Sequence, residues 1–307
     1  MKLFLKRIFF FFILISVLYV PGLLLIDVML PSIYKPNILY QAGNGLVQKK
    51  IEESDTLSKV DVLFLGSSHA YNTFDPSIFE TENIASYNWG TSQQTHPQTQ
   101  MVLDEYLLKL DPQLVVYEVF PEMFAMSGRA SMADFLNATR PFEVDLVEIF
   151  EYENSIVLIN TYLVKKARKF LGIEEKNQNF KFDNRYYRGY VKIESNSNSI
   201  KESVKIKWTP RQNQLRAFEE NIEFLKENQI PYILVIAPYA FSYNNPNDVK
   251  NYLVNKGELY DYNELIDFEP SKDFSDLHHI NHQGATKVNL HLKNVLKKKI
   301  KKANLVK

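Results

Sequence analysis

The stretch Val60-Asp61-Val62-Leu63-Phe64-Leu65-Gly66-Ser67-Ser68-His69 decides the fold and contains the first candidate functional residue. Its apolar part is short and nearly continuous, which is typical of a strand buried on both faces of a parallel sheet. Gly66 ends the run, and Asp75-Pro76 soon follows, a helix N-cap with proline at the first helical position. A buried strand, a glycine turn and a helix form the opening unit of an α/β domain.

The same alternation continues along the chain. Further strands are predicted at 84–89, 114–117 and 233–237, with helices after Pro97 and after Gly284. Strands that alternate with helices predict a mostly parallel sheet covered on both faces, a three-layer α/β/α sandwich. Residues 125–210 interrupt this pattern, first with a helical period and then with polar and aromatic sequence. We therefore predict a helical insertion there.

The N-terminus has the pattern of a membrane anchor. Basic residues precede a largely apolar run of 19 residues, Ile8 to Ile26, which as a helix would span about 28 Å, close to the thickness of bilayer hydrocarbon. We predict an uncleaved transmembrane anchor over 1–30, a linker over 31–58 and the α/β domain over 59–302. The basic residues favour a cytoplasmic N-terminus and an extracytoplasmic domain. A cleaved signal peptide is the alternative, although residues 28–31 offer no small-residue cleavage site.

Charge and cysteine content exclude several classes of protein. Thirty-six Lys and Arg residues balance 36 Asp and Glu residues, so no overall charge favours nucleic acid. The absence of cysteine excludes disulfides, thiol catalysis and thiolate metal sites. The histidines show no His-Glu-x-x-His or similar spacing, so we expect no metal site.

Three candidate catalytic residues stand out. Ser68 follows a strand end, where parallel sheets bind ligands. Asp276 and His279 are three residues apart, a spacing that would place both on one face of a helical turn. Asp276 could then orient His279 as the base for the Ser68 hydroxyl. His278 would point away from Asp276 on such a turn, which makes His279 the preferred base. Gly90, after the second strand, could offer a backbone N–H to an oxyanion.

These residues belong to three motifs that together resemble a known family. They are Gly66-Ser67-Ser68-His69 with its preceding strand, Asn88-Trp89-Gly90-Thr91-Ser92, and Phe274-Ser275-Asp276-Leu277-His278-His279-Ile280-Asn281 with Gly284. The motifs resemble the first, second and fifth blocks of the SGNH (GDSL-like) hydrolases. They are most similar to the membrane-anchored branch associated with O-acylation of bacterial cell-surface polysaccharides, which is related in pattern to the teichoic-acid D-alanylation protein. The resemblance covers about 60–122 and 208–296.

The resemblance implies a flavodoxin-like fold, and neither a metal nor an organic cofactor. It implies roles for Ser68 as nucleophile, Gly90 as oxyanion donor, Asp276 as orienting residue and His279 as base. The chain would then be an extracytoplasmic serine esterase or O-acyltransferase that acts on acyl esters of cell-surface glycans, acetyl esters in particular. Its partners would be the acylated glycan or another ester substrate, membrane lipid and a membrane-bound O-acyltransferase.

Two positions depart from the family pattern. Ser67 replaces the usual aspartate before the nucleophile. The Gly-x-Asn-Asp block after the third strand is absent, since the chain reads Tyr117-Glu118-Val119-Phe120-Pro121-Glu122 there. The asparagine oxyanion donor of the family therefore has no counterpart. Either a residue such as Asn88, Ser92 or Gln93 replaces it, or the hole has two donors.

Two functional alternatives stay open. The missing asparagine block favours a catalytically weak or inactive scaffold with the same fold, which would recruit the glycan acceptor to a membrane acyltransferase. A secreted lipase-like esterase, released by signal cleavage, is the other. Glu118 and Glu122, near the end of the third strand, could line the site or cap the following turn.

Overall fold

The computed structural model of the chain describes residues 1–31, 38, 45–138, 146, 149, 155–173, 183–195 and 205–306. The helices are α1 (Lys2–Met29), α2 (Leu46–Thr56), α3 (Ser68–Thr73), α4 (Pro76–Glu80), α5 (His96–Leu110), α6 (Arg129–Leu136), α7 (Ile156–Leu171), α8 (Gln212–Glu227), α9 (Pro246–Val254), α10 (Tyr262–Leu265), α11 (Pro270–Asp273) and α12 (His282–Val306). The strands are β1 (Val62–Leu65), β2 (Ser86–Asn88), β3 (Leu114–Glu118), β4 (Tyr186–Tyr187), β5 (Tyr190–Val191), β6 (Lys205–Ile206), β7 (Tyr232–Ile236), β8 (Ser242–Tyr243) and β9 (Leu259–Asp261).

The central sheet is parallel. Its strands lie in the order β2-β1-β3-β7-β9, and each neighbouring pair is parallel. When the strands of this sheet alone are counted, the order is 2-1-3-4-5, that of flavodoxin-like sheets. The chain changes its direction of winding between β1 and β3, and such switch points are where these sheets bind ligands. The predicted α/β fold with a mostly parallel sheet is confirmed.

Successive strand residues point into two separate cores, because side chains alternate between the faces of a strand. Leu63 and Leu65 of β1 pack into the core that also receives α5 and α8. Val62 and Phe64 pack into the opposite core with α3, α4 and α12. Helices thus cover both faces of the sheet, which confirms the predicted three-layer sandwich.

The N-terminal part differs from the predicted anchor and linker in one respect. Within the described part of the chain, α1 is the helix that is long and apolar enough to cross a membrane or to serve as a signal sequence. Residues 32–37 and 39–44 of the predicted linker lie outside the described residues. The second half of that segment forms α2, whose Val47 and Ile51 are buried in the main core. This half therefore belongs to the folded domain.

The predicted insertion, 125–210, includes several stretches outside the described residues. Its described parts include α6, α7 and the antiparallel hairpin of β4 and β5. The hairpin is fastened to the end of β2, because the Asn88 N–H donates to the Arg188 carbonyl at 3.1 Å. Gly189 permits this approach, since its φ is 87° and a Cβ there would lie 1.9 Å from the Asn88 carbonyl oxygen. The insertion is therefore in direct contact with the site end of the sheet.

Candidate active site

Ser68 is the first residue of α3, directly beyond the carboxyl end of β1. The turn that exposes it depends on Gly66, which has a φ of 139° and whose Cβ would lie 2.6 Å from Glu118 Oε2. Ser67 caps the helix, since its hydroxyl accepts a hydrogen bond from the His69 N–H at 3.2 Å. The candidate nucleophile thus emerges at the switch point of the sheet.

Asp276 and His279 lie in a loop before α12, closed by a bridge between Phe274 and Ile280. The helical turn predicted from their spacing is wrong, because residues 275–278 form bends and His279 lies in no regular element. The loop is shaped instead by Asp276 Oδ1, which accepts the N–H groups of His278 at 2.7 Å and His279 at 2.8 Å. This local turn brings the carboxylate and the imidazole together.

The three predicted catalytic side chains converge. His279 Nε2 lies 2.8 Å from Ser68 Oγ, and His279 Nδ1 lies 3.0 and 3.1 Å from the two Asp276 oxygens. Partial burial acts to raise the pKa of Asp276, but hydrogen bonds and the charge interaction with His279, together with the loop N–H groups, lower it below its ordinary value. An ionised carboxylate only accepts hydrogen bonds, so Nδ1 carries the proton and the lone pair of Nε2 faces the serine hydroxyl. This is the geometry of a nucleophile, a base and an orienting acid.

Other residues of the closing motif hold the loop in place. Asn281 Oδ1 accepts the N–H groups of Gln283 at 2.9 Å and Gly284 at 3.1 Å, which caps α12. Gly284 is required because a Cβ there would lie 2.5 Å from the Asp273 carbonyl oxygen. A bond from the Ala240 N–H to the Leu277 carbonyl, 2.8 Å long, ties the loop to the segment after β7.

Asn88 does not fit the predicted role of oxyanion donor. It is fully buried, and its amide hydrogens donate to the carbonyls of Ala70 and Phe74, both at 2.9 Å. Its Oδ1 atom accepts the Gly90 N–H at 3.0 Å, so that donor is engaged as well. Gly90 instead permits close packing, because a Cβ there would lie 2.8 Å from the Ser67 carbonyl oxygen.

Three other donors follow the carboxyl ends of β1 and β2. The Ser68 N–H makes no hydrogen bond to any residue that the structure describes. The Ser92 hydroxyl bonds the phenol of Tyr71, which lies one turn after Ser68 on α3. Gln93 is exposed on the turn after β2, with a φ of 50°.

A second polar chain underlies the nucleophile turn, and its contact between Glu118 and Ser67 was not predicted from the sequence. Glu118, at the end of β3, is buried, and its Oε2 atom accepts the N–H of Ser67 at 3.0 Å and its hydroxyl at 2.9 Å. The same hydroxyl lies 3.3 Å from His69 Nδ1. Burial raises the pKa of Glu118 to about 7, although the bonds from Ser67 oppose this rise. The signal available in the sequence was the pairing of Ser67, in the usual aspartate position, with a carboxyl at the end of the neighbouring strand.

An aromatic flank lies beside the base. The rings of His69 and Phe120 stack with centroids 3.6 Å apart, and the Phe241 ring lies 5.1 Å from that of His278. Tyr239 stacks on Phe241 at 4.6 Å. Phe120 follows the carboxyl end of β3, and Tyr239 and Phe241 follow that of β7, so these rings form an apolar cluster beside His69 and His278.

The rings of His69, His278 and His279 lie close together, with centroids 5.2–6.3 Å apart. His279 belongs to the Ser68 and Asp276 chain, and burial followed by the proximity of His279 and His278 lowers the pKa of His69 well below its ordinary value. In the described residues, no group of three or more His, Cys, Asp or Glu side chains is arranged to hold a metal ion.

Comparisons with known proteins give the following similarities. A protein-family model matches residues 169–301, less than half of the chain. No curated protein matches the chain in sequence. A Bacteroides fragilis protein described as an acylhydrolase is 17% identical, with a TM-score of 0.41, over 85% of this chain and 99% of its own. A GDSL-like lipase from Bacteroides thetaiotaomicron is 13% identical, with a TM-score of 0.41, over 83% of this chain and 99% of its own. Both the identities and the TM-scores are low.

Proposed function

We propose that this chain is a membrane-anchored serine esterase or O-acyltransferase of the SGNH type. The observation that carries the proposal is the continuous line from Ser68 Oγ through the His279 ring to the Asp276 carboxylate, with a 2.8 Å contact at its reactive end. Ser68 also lies at the switch point of the sheet, where the fold places ligands.

The arrangement supports a two-step acyl transfer. Ser68 Oγ attacks the carbonyl carbon of an ester while His279 Nε2 takes its proton, and Asp276 stabilises the resulting imidazolium. Collapse of the tetrahedral intermediate breaks the ester C–O bond, and His279 protonates the departing alcohol. Water or a sugar hydroxyl then attacks the acyl-serine with His279 again as base. The products are a free acid or a new ester, and Ser68 is regenerated.

The developing oxyanion needs hydrogen-bond donors that are not already engaged. We assign the Ser68 N–H as one donor, because it has no acceptor among the described residues. Gln93, on the turn after β2, is the second, and the Ser92 hydroxyl takes its place only if its bond to Tyr71 breaks. The Gly90 N–H takes part only if its bond to Asn88 breaks.

The resemblance to the membrane-anchored branch supports acyl esters of cell-surface glycans, acetyl esters in particular, as substrates. The length and composition of α1 support single-pass anchoring. The basic residues Lys2, Lys6 and Arg7 ahead of the apolar run support a catalytic domain outside the cytoplasm. A membrane-bound O-acyltransferase as partner belongs to the same proposal.

An active-site fluorophosphonate probe tests the catalytic part. The full-length protein in detergent should be labelled, and peptide mapping should place the label on Ser68. Labelling should be lost in Ser68→Ala and retained in Ser271→Ala, an exposed serine on α11. Label that persists in Ser68→Ala, or a folded wild-type protein that takes none, would refute the proposal.

The engaged Gly90 N–H favours one alternative, a scaffold that binds glycan without catalysis. The same probe separates the two functions. The scaffold predicts a folded protein that resists the probe and hydrolyses no 4-nitrophenyl acetate, yet binds a de-O-acetylated surface glycan.

A further inference from the structure

Helix α7 of the insertion lies along the outer half of α1. Three pairs of residues make the contact, at a spacing of four in both helices: Tyr19 with Asn160, Leu23 with Val164, and Asp27 with Arg168. The first pair is a 2.6 Å hydrogen bond, the second an apolar cluster and the third a 2.5 Å ion pair. Because the numbers rise together, the two helices run in the same direction.

The three contacts between α1 and α7 form a seam over Tyr19–Asp27 of α1. Its position along α1 fixes the depth of α7 in a bilayer. Arg7 marks the cytoplasmic end of the apolar run, and the stretch from Ile8 to Leu18 that precedes the seam is only about 17 Å long. Bilayer hydrocarbon is about 30 Å thick, so α1 crosses it only if Tyr19–Ile26 lies within it as well, which places Asp27 at its outer boundary. Leu25 and Ile26, at the level of the seam, are 60% and 42% exposed, as residues covered by lipid would be.

The composition of α7 matches this depth. Its deeper end begins Ile156-Val157-Leu158-Ile159, where Leu158 and Ile159 pack into the main core and Ile156 is 58% exposed. Its outer end carries Lys166 and Lys169, both exposed, at the level of Asp27. A helix with an apolar end in the hydrocarbon and cations at its outer end fits the interface of an anionic bilayer.

Two polar side chains in the deeper half of α7, Asn160 and Thr161, have protein partners. Asn160 accepts the Tyr19 hydroxyl, and the Thr161 hydroxyl donates to the Val157 carbonyl at 2.8 Å. Polar groups without partners are costly in hydrocarbon, and these side chains are satisfied by protein.

We propose that the deeper end of α7 enters the outer leaflet beside α1, so that two helices rather than one hold the domain at the membrane. The occupant of this surface is lipid, with anionic headgroups near Lys166 and Lys169. The inference rests on the membrane anchoring proposed above and is independent of the catalytic chemistry.

Single-cysteine variants test the inference, because the chain contains no cysteine of its own. Ile156→Cys, Phe12→Cys on α1 and Leu290→Cys on α12 are labelled with the fluorophore NBD in the full-length protein. Each is reconstituted in vesicles of phosphatidylcholine and phosphatidylglycerol that contain nitroxide-labelled lipid. All three positions are exposed, so the substitutions should leave the melting temperature unchanged. The probes at Ile156 and Phe12 should be blue-shifted and quenched by the nitroxide, whereas the Leu290 probe should not.

A fourth probe, Phe170→Cys, lies beyond Arg168 at the outer end of α7 and is 88% exposed in the structure. Nitroxides near the headgroup should quench it more than nitroxides deep in the acyl chain, and Ile156 should show the reverse. Quenching at Phe12 but not at Ile156 overturns the inference while the anchor stands. An Ile156 probe that is shielded from water yet unquenched indicates a protein partner and overturns it too. If neither probe is quenched, the anchor and this inference fail together, and fluorophosphonate labelling still reports separately on catalysis.

Discussion

Glu118 Oε2 accepts both the backbone N–H and the hydroxyl of Ser67, so a buried carboxyl supports the residue that precedes the nucleophile. Burial raises the pKa of Glu118 to about 7, above the value of about 4.3 in an unfolded chain. Because the pKa of Glu118 is higher in the folded protein than in the unfolded chain, this carboxyl stabilises the fold fully below about pH 4.3. The stabilisation is lost as the pH rises through about 7.

We therefore expect the free energy of unfolding of wild type to fall by about 3 kcal/mol, relative to Glu118→Gln, between pH 4.5 and pH 8. Urea unfolding at the two pH values measures the difference. Glu227→Gln, an exposed glutamate on α8, should follow wild type. Identical pH dependence in wild type and Glu118→Gln would show that the carboxyl is not held as described.

Asp276→Asn should lower kcat for ester hydrolysis by roughly 10³- to 10⁴-fold. The amide can keep the Oδ1 bonds to the loop N–H groups, but its NH₂ group would face His279 Nδ1. The ring proton would then move to Nε2, which could no longer accept the Ser68 proton. Steady-state hydrolysis of 4-nitrophenyl acetate measures the loss, with the exposed Asp267→Asn as control. A variant that retains a tenth of wild-type kcat would argue against Asp276 as the orienting residue.

Gly90→Ala should slow fluorophosphonate labelling and destabilise the protein by about 1–3 kcal/mol. The new Cβ would lie 2.8 Å from both Ala70 Cβ and the Ser67 carbonyl oxygen, and 2.9 Å from the Tyr71 nitrogen. It would therefore push the start of α3, and with it Ser68, away from β2. Adding Ala70→Gly removes one of the three clashes. The stability should then recover in part, and the labelling rate should recover less than the stability. Labelling at the wild-type rate in Gly90→Ala would contradict this account.

Lys50→Ala should cost more than about 2 kcal/mol of stability, because it leaves a cavity and two carbonyl acceptors without their donor. Lys50 is fully buried and donates to the carbonyls of Asn88 and Gly189. Lys50→Met keeps most of the volume and should cost less.

The pH dependence gives a second measurement for Lys50. Burial lowers its pKa well below the ordinary value, although Glu53 opposes this. Since the folded pKa is the lower one, stability should rise between pH 7 and pH 10 in wild type relative to Lys50→Met. Lys49→Met, on the neighbouring position of α2, should track wild type. Equal pH dependence in wild type and Lys50→Met would mean that the ammonium group is not desolvated.

The features that the sequence predicted correctly are those with local signals. Gly66 marks the end of the first apolar run, and Pro97 marks the start of a helix. The structure has β1 and α5 at these positions. Strand β9 went unpredicted because it is three residues long and only partly buried. Helix α2 was predicted to be part of a polar linker. Its burial depends on carbonyl acceptors for Lys50 that come from residues 88 and 189, and such distant partners leave no local signal in the sequence.

The candidate site divides in the same way. The meeting of Ser68 with His279 followed from a motif, and the structure places them together. The bonds that occupy Asn88 depend on carbonyls of α3, which no spacing pattern reveals. The stacking of Phe120 on His69 likewise joins the loop after β3 to α3, and the sheet sets the distance between them.

The hairpin fastened to β2 also limits how copies of this chain can associate. Its Arg188 accepts the Asn88 N–H and donates from Nε to the Ser86 carbonyl at 3.0 Å, so main-chain groups on that border of the sheet are already satisfied. The opposite border is β9, which offers three residues before α10 begins. Few unpaired main-chain groups are therefore left for edge-to-edge association of copies through added strands. Away from lipid, we expect clustering to begin at the bare apolar surface of α1 instead.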